Sequence, residues 1–408
     1  MARALQQVTE GRNSRRHGRR RQAWRFVNLV AYSLMEGAAF ERLEEAFRSD
    51  GPTALFDRLV QMALEAKDYR LLFGTRLMQA RHGLRLPLIE TEPTIDLTGE
   101  PLVSYESALK NAAREAGDLL LANGDIANAW TYFKALSDPA PVAAAIEKIN
   151  ESEQIDRIIE IAFHEGVNPR KGFELILEHH GICRAITLFG SHRDYASRQV
   201  GLRLLVRTLY AQLTAALRET IASVERTART DAGIAELIAG RPWLFEGNSS
   251  YVDSTHLTAL LRFTPELEDK ESLRMAVEMA DYGRCLASMF HFRGDPPFED
   301  TYADHSVYLR ALLGEQVDDA ITHFREKAAG AQGDPTPAEV LIELLVRLKR
   351  YAEAIQASRE FFPESSANPR SCPSAIQLCQ MACDYRQLRE LALAHGDLLA
   401  FSAAVIQG

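Results

Sequence analysis

Apolar residues recur at helical spacing along most of this chain, and no run alternates in the way a half-buried strand would. The longest stripe is Leu202, Leu205, Leu209, Leu213, Leu217, Ile221 and Val224. Its steps of three or four predict one helix over 194–225. At about 1.5 Å per residue that helix would run roughly 50 Å, so it is expected to brace several shorter helices or to form a dimerisation face, with intramolecular packing favoured. Val340-Leu341-Ile342-Glu343-Leu344-Leu345-Val346-Arg347-Leu348 predicts a shorter helix. Lys349-Arg350 follows as a polar turn, and 351–362 as a second helix that Pro363 stops because it cannot continue the hydrogen-bond ladder. Gly51-Pro52 marks another helix start, where proline costs no hydrogen bond.

A short pattern returns on this background every 34 residues. Val317, Ala320 and Ile321 recur as Tyr351, Ala354 and Ile355, then as Tyr385, Leu388 and Arg389. The small Ala320 and Ala354 let paired helices approach closely, and Ile321 and Ile355 supply buried bulk. The run Tyr351-Ala352-Glu353-Ala354-Ile355 resembles the Y-x-E-A-I opening of the second helix of a tetratricopeptide repeat. Lys349 stands where that family usually places glycine, and Arg389 where a third copy would bury an aliphatic, as a solvent-facing terminal repeat does. Further starts are read at Tyr69, Ile126 and Ile182, the last followed by Ala185-Ile186-Thr187-Leu188-Phe189. The resemblance is specific over 312–390. It implies an all-α, degenerate helix-turn-helix solenoid with an irregular inserted segment around 240–304, and a surface that receives a peptide or protein partner.

The expected organisation is a disordered basic tail over 1–24, an N-terminal helical segment over 25–84 and a linker over 85–101, where Pro87, Pro93, Gly99 and Pro101 break the period. A central helical region follows over 102–304, and the repeats over 305–408. Composition changes this picture little: 46% apolar and 25% charged residues suit a folded chain with a sizeable core. The net charge of −9 argues against nucleic acid as a partner of the body. Only the arginine-rich tail, with Arg12, Arg15, Arg16, Arg19, Arg20, Arg21 and Arg25, offers that contact. Five cysteines form no disulfide framework and point to a reducing, cytoplasmic compartment. No apolar run approaches the roughly 18 residues of a membrane span.

Phosphate-loop, dinucleotide-binding, zincin and nucleophile-elbow motifs are all missing. Cys379 and Cys383, one turn apart, read as buried small hydrophobes. Histidine is the unusual residue, seven of the eleven falling within 164–305. Asp253 and His256 lie three apart on a helix expected over 252–263. Glu299, Asp300, Asp304 and His305 form a second acid–histidine cluster, and His164, His180 and His291 are further candidates. Neutral imidazoles with carboxylates suit zinc, iron or manganese. Asp253, His256, Asp300, Asp304 and His305 are therefore the candidate ligands of a divalent transition metal, although no complete cofactor motif is present. The plainer reading makes Asp253 and Asp300 helix caps, exposes His179 and His180 in a turn, and sets His164 at a helix end. Two functions follow: a protein- or peptide-binding scaffold, and a helical metal-dependent enzyme or small-molecule binder.

Overall fold

Tyr69, Ile126, Val317, Tyr351 and Tyr385 are each the first residue of a helix in the computed structural model, and Ile182 follows a break at Gly181 (φ 74°). The structure describes residues 22–88, 98–191, 195–226, 232–331, 333–362 and 371–408, with side chains from residue 37 onward except at 195–197. Among these residues the fold is all helical, and the one strand-like feature is a single bridge between Arg293 and Asp300. The arginine-rich stretch 12–21 and most of the expected linker, 89–97, lie outside the described residues.

The chain divides into two compact units, Met1–Leu175 and Ile176–Gly408. In the first, α1 (Gln22–Glu65) is broken at Asp50 and Gly51, directly before Pro52. It is followed by α2 (Tyr69–Gly83), α3 (Glu100–Ala122), α4 (Ile126–Leu136), α5 (Ala140–Glu147) and α6 (Ile155–Ile159), and each of α1 to α4 packs on its successor. Phe73, Ala113, Ala116, Phe133 and Ile146 are fully buried between them. The helix α7 (Pro169–Ser191) carries the Gly181 break.

The second unit contains α8 (Tyr195–Glu225), α9 (Ile234–Ile238), α10 (Ser254–Leu261), α11 (Lys270–Cys285), α12 (Thr301–Leu313), α13 (Val317–Gly330), α14 (Thr336–Arg347), α15 (Tyr351–Phe361), α16 (Ala375–Ala382), α17 (Tyr385–His395) and α18 (Leu398–Gln407). The long stripe of α8 is buried from Leu202 to Ile221 against α9, α10 and α11. Its use is therefore intramolecular. Val224, at the end of the stripe, is exposed. The stretch 240–304 is less irregular than its Gly and Pro content suggests, because α10 and the amphipathic α11 run through it. The irregular parts are 239–253, 262–269 and 286–300.

From α12 onward each helix packs on the next. Ala320 and Ala354 are buried at these crossings with Ile321, Phe324, Leu341, Ile342, Leu344, Leu345, Ile355, Leu378 and Leu388. Each large side chain among them is worth roughly 1.5–3 kcal/mol of burial. Arg389 is exposed, with its guanidinium 5.3 Å from the Phe401 ring centroid.

One hinge recurs at the turns. Asp68, Asp125, Arg350, Asp384 and Asp397 each donate their N–H to the carbonyl five residues back, at 2.8–3.0 Å. The residue before each is left-handed: Lys67 (φ 53°), Gly124 (φ 77°), Lys349 (φ 59°), Cys383 (φ 54°) and Gly396 (φ 69°). This 6→1 bond satisfies a carbonyl that the helix end leaves open. At Asp68, Asp125 and Asp384 the same residue then caps the next helix, its carboxylate accepting the N–H three residues on. Cys383 departs from the reading as a buried hydrophobe. It occupies the left-handed turn and is exposed, while Cys379 one turn earlier is buried.

Candidate functional site

Asp300, Asp304 and His305 lie at the start of α12, and Glu299 on the loop before it, 286–300. Asp300 is the N-cap of α12 and accepts the Ala303 N–H at 3.1 Å. Asp304, one turn on, is 3% exposed. A buried carboxylate needs donors, and Asp304 has three. His323 Nε2 donates at 2.8 Å, Lys327 Nζ at 2.8 Å and the Asp300 N–H at 2.9 Å. Lys327 also donates to Glu299 at 2.5 Å. Burial opposes its charge, but the bonds to Asp304 and Glu299 outweigh that and raise its pKa above the ordinary lysine value. Glu299 is held below the ordinary carboxylate range, since the Lys327 bond overcomes the opposing effect of burial. This network fastens the loop (Glu299) and α12 (Asp304) to α13 (His323, Lys327).

His305 is 1% exposed, and its Nδ1 lies 2.6 Å from the Thr301 carbonyl. A carbonyl only accepts, so Nδ1 carries the proton. Nε2 is then a bare acceptor, buried without a hydrogen-bond partner. Phe298 stacks on the ring at 4.2 Å, and Tyr308 and Phe324 pack on Phe298. Burial pushes the His305 pKa down to about 4, leaving a neutral imidazole.

Asp253 caps α10, accepting from the Thr255 backbone at 2.8 Å and from its hydroxyl at 2.6 Å, and these bonds lower its pKa. His256 Nδ1 is 4.0 Å from Asp253 Oδ2, too far for a hydrogen bond. Among the described residues no three His, Cys, Asp or Glu side chains are grouped to hold a metal ion. Of the five candidates, Asp300 and Asp304 are joined by a hydrogen bond, while Asp253 and His256 stand as a separate capping turn. His179 and His180 are exposed, and His164 ends a π-helical turn over Glu160–His164.

The loop 286–300 is irregular in backbone, yet its backbone groups are individually held. Thr301 Oγ1 donates to the Phe292 carbonyl at 2.9 Å, Tyr302 Oη to that of Phe290 at 3.0 Å, and Gly294 N–H to that of Glu299 at 3.1 Å. His291 Nε2 lies 3.0 Å from the Leu286 carbonyl. A Cβ on Gly294 would sit 2.1 Å from the Phe298 oxygen, so no other residue fits there. A Cβ on Gly283 of α11 would likewise meet the Tyr302 ring at 2.2 Å, and the missing side chain brings Tyr302 under the loop. The held loop presents Met289 and Phe292 to solvent, 63% and 39% exposed.

Sequence reasoning overlooked His323, Lys327, Met289 and Phe292. The first two have no local signal, because their partner lies 19 and 23 residues away. The run Met289-Phe290-His291-Phe292, directly before Gly294, Pro296 and Pro297, was a signal for an apolar loop with a task. Comparison with models of protein families, with curated proteins and with solved structures finds no match to this chain.

Proposed function

We propose that this chain is a non-enzymatic helical-repeat scaffold of the tetratricopeptide-like kind, which holds a protein or peptide partner. The observation that carries the reading is the loop 286–300. Its carbonyls are held by Thr301 and Tyr302 while Met289 and Phe292 face solvent. Rigid apolar anchors bind with little loss of conformational freedom, and aromatic residues and Met are enriched in interfaces. Four charged groups beside the loop are already engaged: Lys327 satisfies Asp304 and Glu299, and Asp300 caps α12. The helical array then serves as the frame that sets the loop. Free thiols at Cys183, Cys285, Cys379 and Cys383 support work in a reducing, cytoplasmic compartment. Among the described residues no helix is long and apolar enough to cross a membrane.

The test is affinity capture with the wild-type chain and with a Met289→Ser, Phe292→Ser variant. The reading expects a partner held by the wild type and lost by the variant at unchanged melting temperature. Equal capture by both chains sinks it. Elemental analysis addresses the metal-dependent alternative, which requires about one metal per chain and its loss in His256→Ala.

A further inference from the structure

The helix α18 (Leu398–Gln407) is built inside out relative to the rest of the array. Its buried residues are Ala400 and Ala404. Four of its large residues face solvent, Leu398 at 79% exposed, Leu399 85%, Val405 52% and Ile406 83%, while Phe401 packs partly buried against the core. With the exposed Ser402 they follow the spacing i, i+1, i+4, i+7, i+8, which is one continuous helical face. Leu393 on α17, 71% exposed, adds to the apolar surface. In α14, by contrast, Leu341, Ile342, Leu344 and Leu345 are all fully buried.

We infer that this face is where two copies of the chain associate, α18 against α18, about a two-fold axis. Charge selects the occupant. Leu398–Gln407 contains no charged side chain, whereas the chain carries −9. Two acidic copies meet with least repulsion through their charge-free surface. An uncharged apolar stripe also complements itself, as the isologous contact of a dimer requires. Area agrees with this choice. Apolar patches on monomers reach roughly 300–600 Å², and five large side chains at these exposures lie near that upper limit. Apposing two such patches removes on the order of 1,200 Å², the lower end of specific interfaces. Two other occupants fit less well. The arginine-rich stretch 12–21 has almost no apolar side chains to lay on the face. A membrane surface calls for Lys and Arg on the polar side of the helix, and α18 has none.

The test uses the full chain in analytical ultracentrifugation, up to about 100 µM, where interfaces of modest affinity are populated. A dimer is expected for the wild type, and a monomer for Leu399→Glu and for Ile406→Glu. Both replaced side chains are exposed, so circular dichroism and melting temperature should match the wild type. Ser402→Arg, which removes no apolar contact, is a second monomerising variant should either glutamate variant fail to fold. A wild type that stays monomeric overturns the inference. So does a dimer that survives all three substitutions, an open-ended oligomer, or co-flotation of the monomer with phosphatidylglycerol vesicles.

Discussion

The array α12–α18 and the stretch 239–300 belong to the same unit and are held together differently. The array rests on apolar stripes: Leu341, Leu344, Leu345, Ile321 and Ile355 fill its crossings, and Ala320 and Ala354 set the helix spacing. The stretch before it contains two helices, but its irregular parts hang on single side-chain bonds to backbone. Tyr251 donates to the Leu244 carbonyl, Tyr302 to that of Phe290, Thr301 to that of Phe292, and Arg347 to those of Pro265 and Leu267. Stripes tolerate exchange of one apolar residue for another of similar size. Single bonds to buried carbonyls do not, because removing the donor strands the acceptor. The array is therefore the frame, and the irregular stretch is where a specific surface is held.

The largest loss of stability is expected where the two regions join. Asp304→Ala takes from Lys327 and His323 their shared partner, although Lys327 keeps Glu299, and losing this buried, charge-bonded acceptor should cost about 3 kcal/mol. Urea unfolding should show the loss, with Asp304→Asn costing less because it keeps an acceptor. A loss below about 1 kcal/mol would mean that the network behaves like surface pairs and does not fasten the loop to α13.

His305 sharpens the contrast through pH. Its folded pKa of about 4 lies below the ordinary 6.5. The unfolded chain therefore binds more protons between these values. Stability from this group is complete above pH 6.5 and is lost as pH falls toward 4, to a total of about 3 kcal/mol. The urea midpoint should fall over that window, and His305→Leu should flatten the fall. An identical pH slope in the variant would sink the assignment.

Within the array, Ala354→Phe overfills a fully buried crossing and should cost about 1–3 kcal/mol. The variant is expected to keep its helical circular dichroism while its melting temperature drops. An unchanged melting temperature would show that α15 packs more loosely than its burial indicates.

The smallest effect has the opposite sign. Lys349 adopts φ 59° in the hinge, a conformation costing side-chain-bearing residues roughly 1–2 kcal/mol that glycine does not incur. Lys349→Gly should stabilise by about 1 kcal/mol once glycine's greater unfolded freedom is subtracted. No gain would imply that the Lys349 side chain contributes contacts that offset its backbone cost.

Helix positions and hinges were written in the sequence. Tyr69, Ile126, Val317, Tyr351 and Tyr385 start helices because the signals act locally. Apolar period, an aspartate cap and a 6→1 turn all operate within about five residues. The buried Ala320 and Ala354 were legible for the same reason, since a small residue recurring at a fixed place in a helix pair marks a crossing. Asp253 and Asp300 carried two readings, as ligands or as caps. Their position before a helix made the cap visible without deciding between the two. Tertiary structure alone brought Lys327 and His323 to Asp304, fixed the proton of His305 on Nδ1, and hung the loop carbonyls on Thr301 and Tyr302. It also turned Leu398 and Leu399 of α18 outward and Ala400 and Ala404 inward, although large apolar residues lie on both sides of that helix. Such choices depend on which helix faces lie opposite one another, and local periodicity says which residues share a face but not what that face meets.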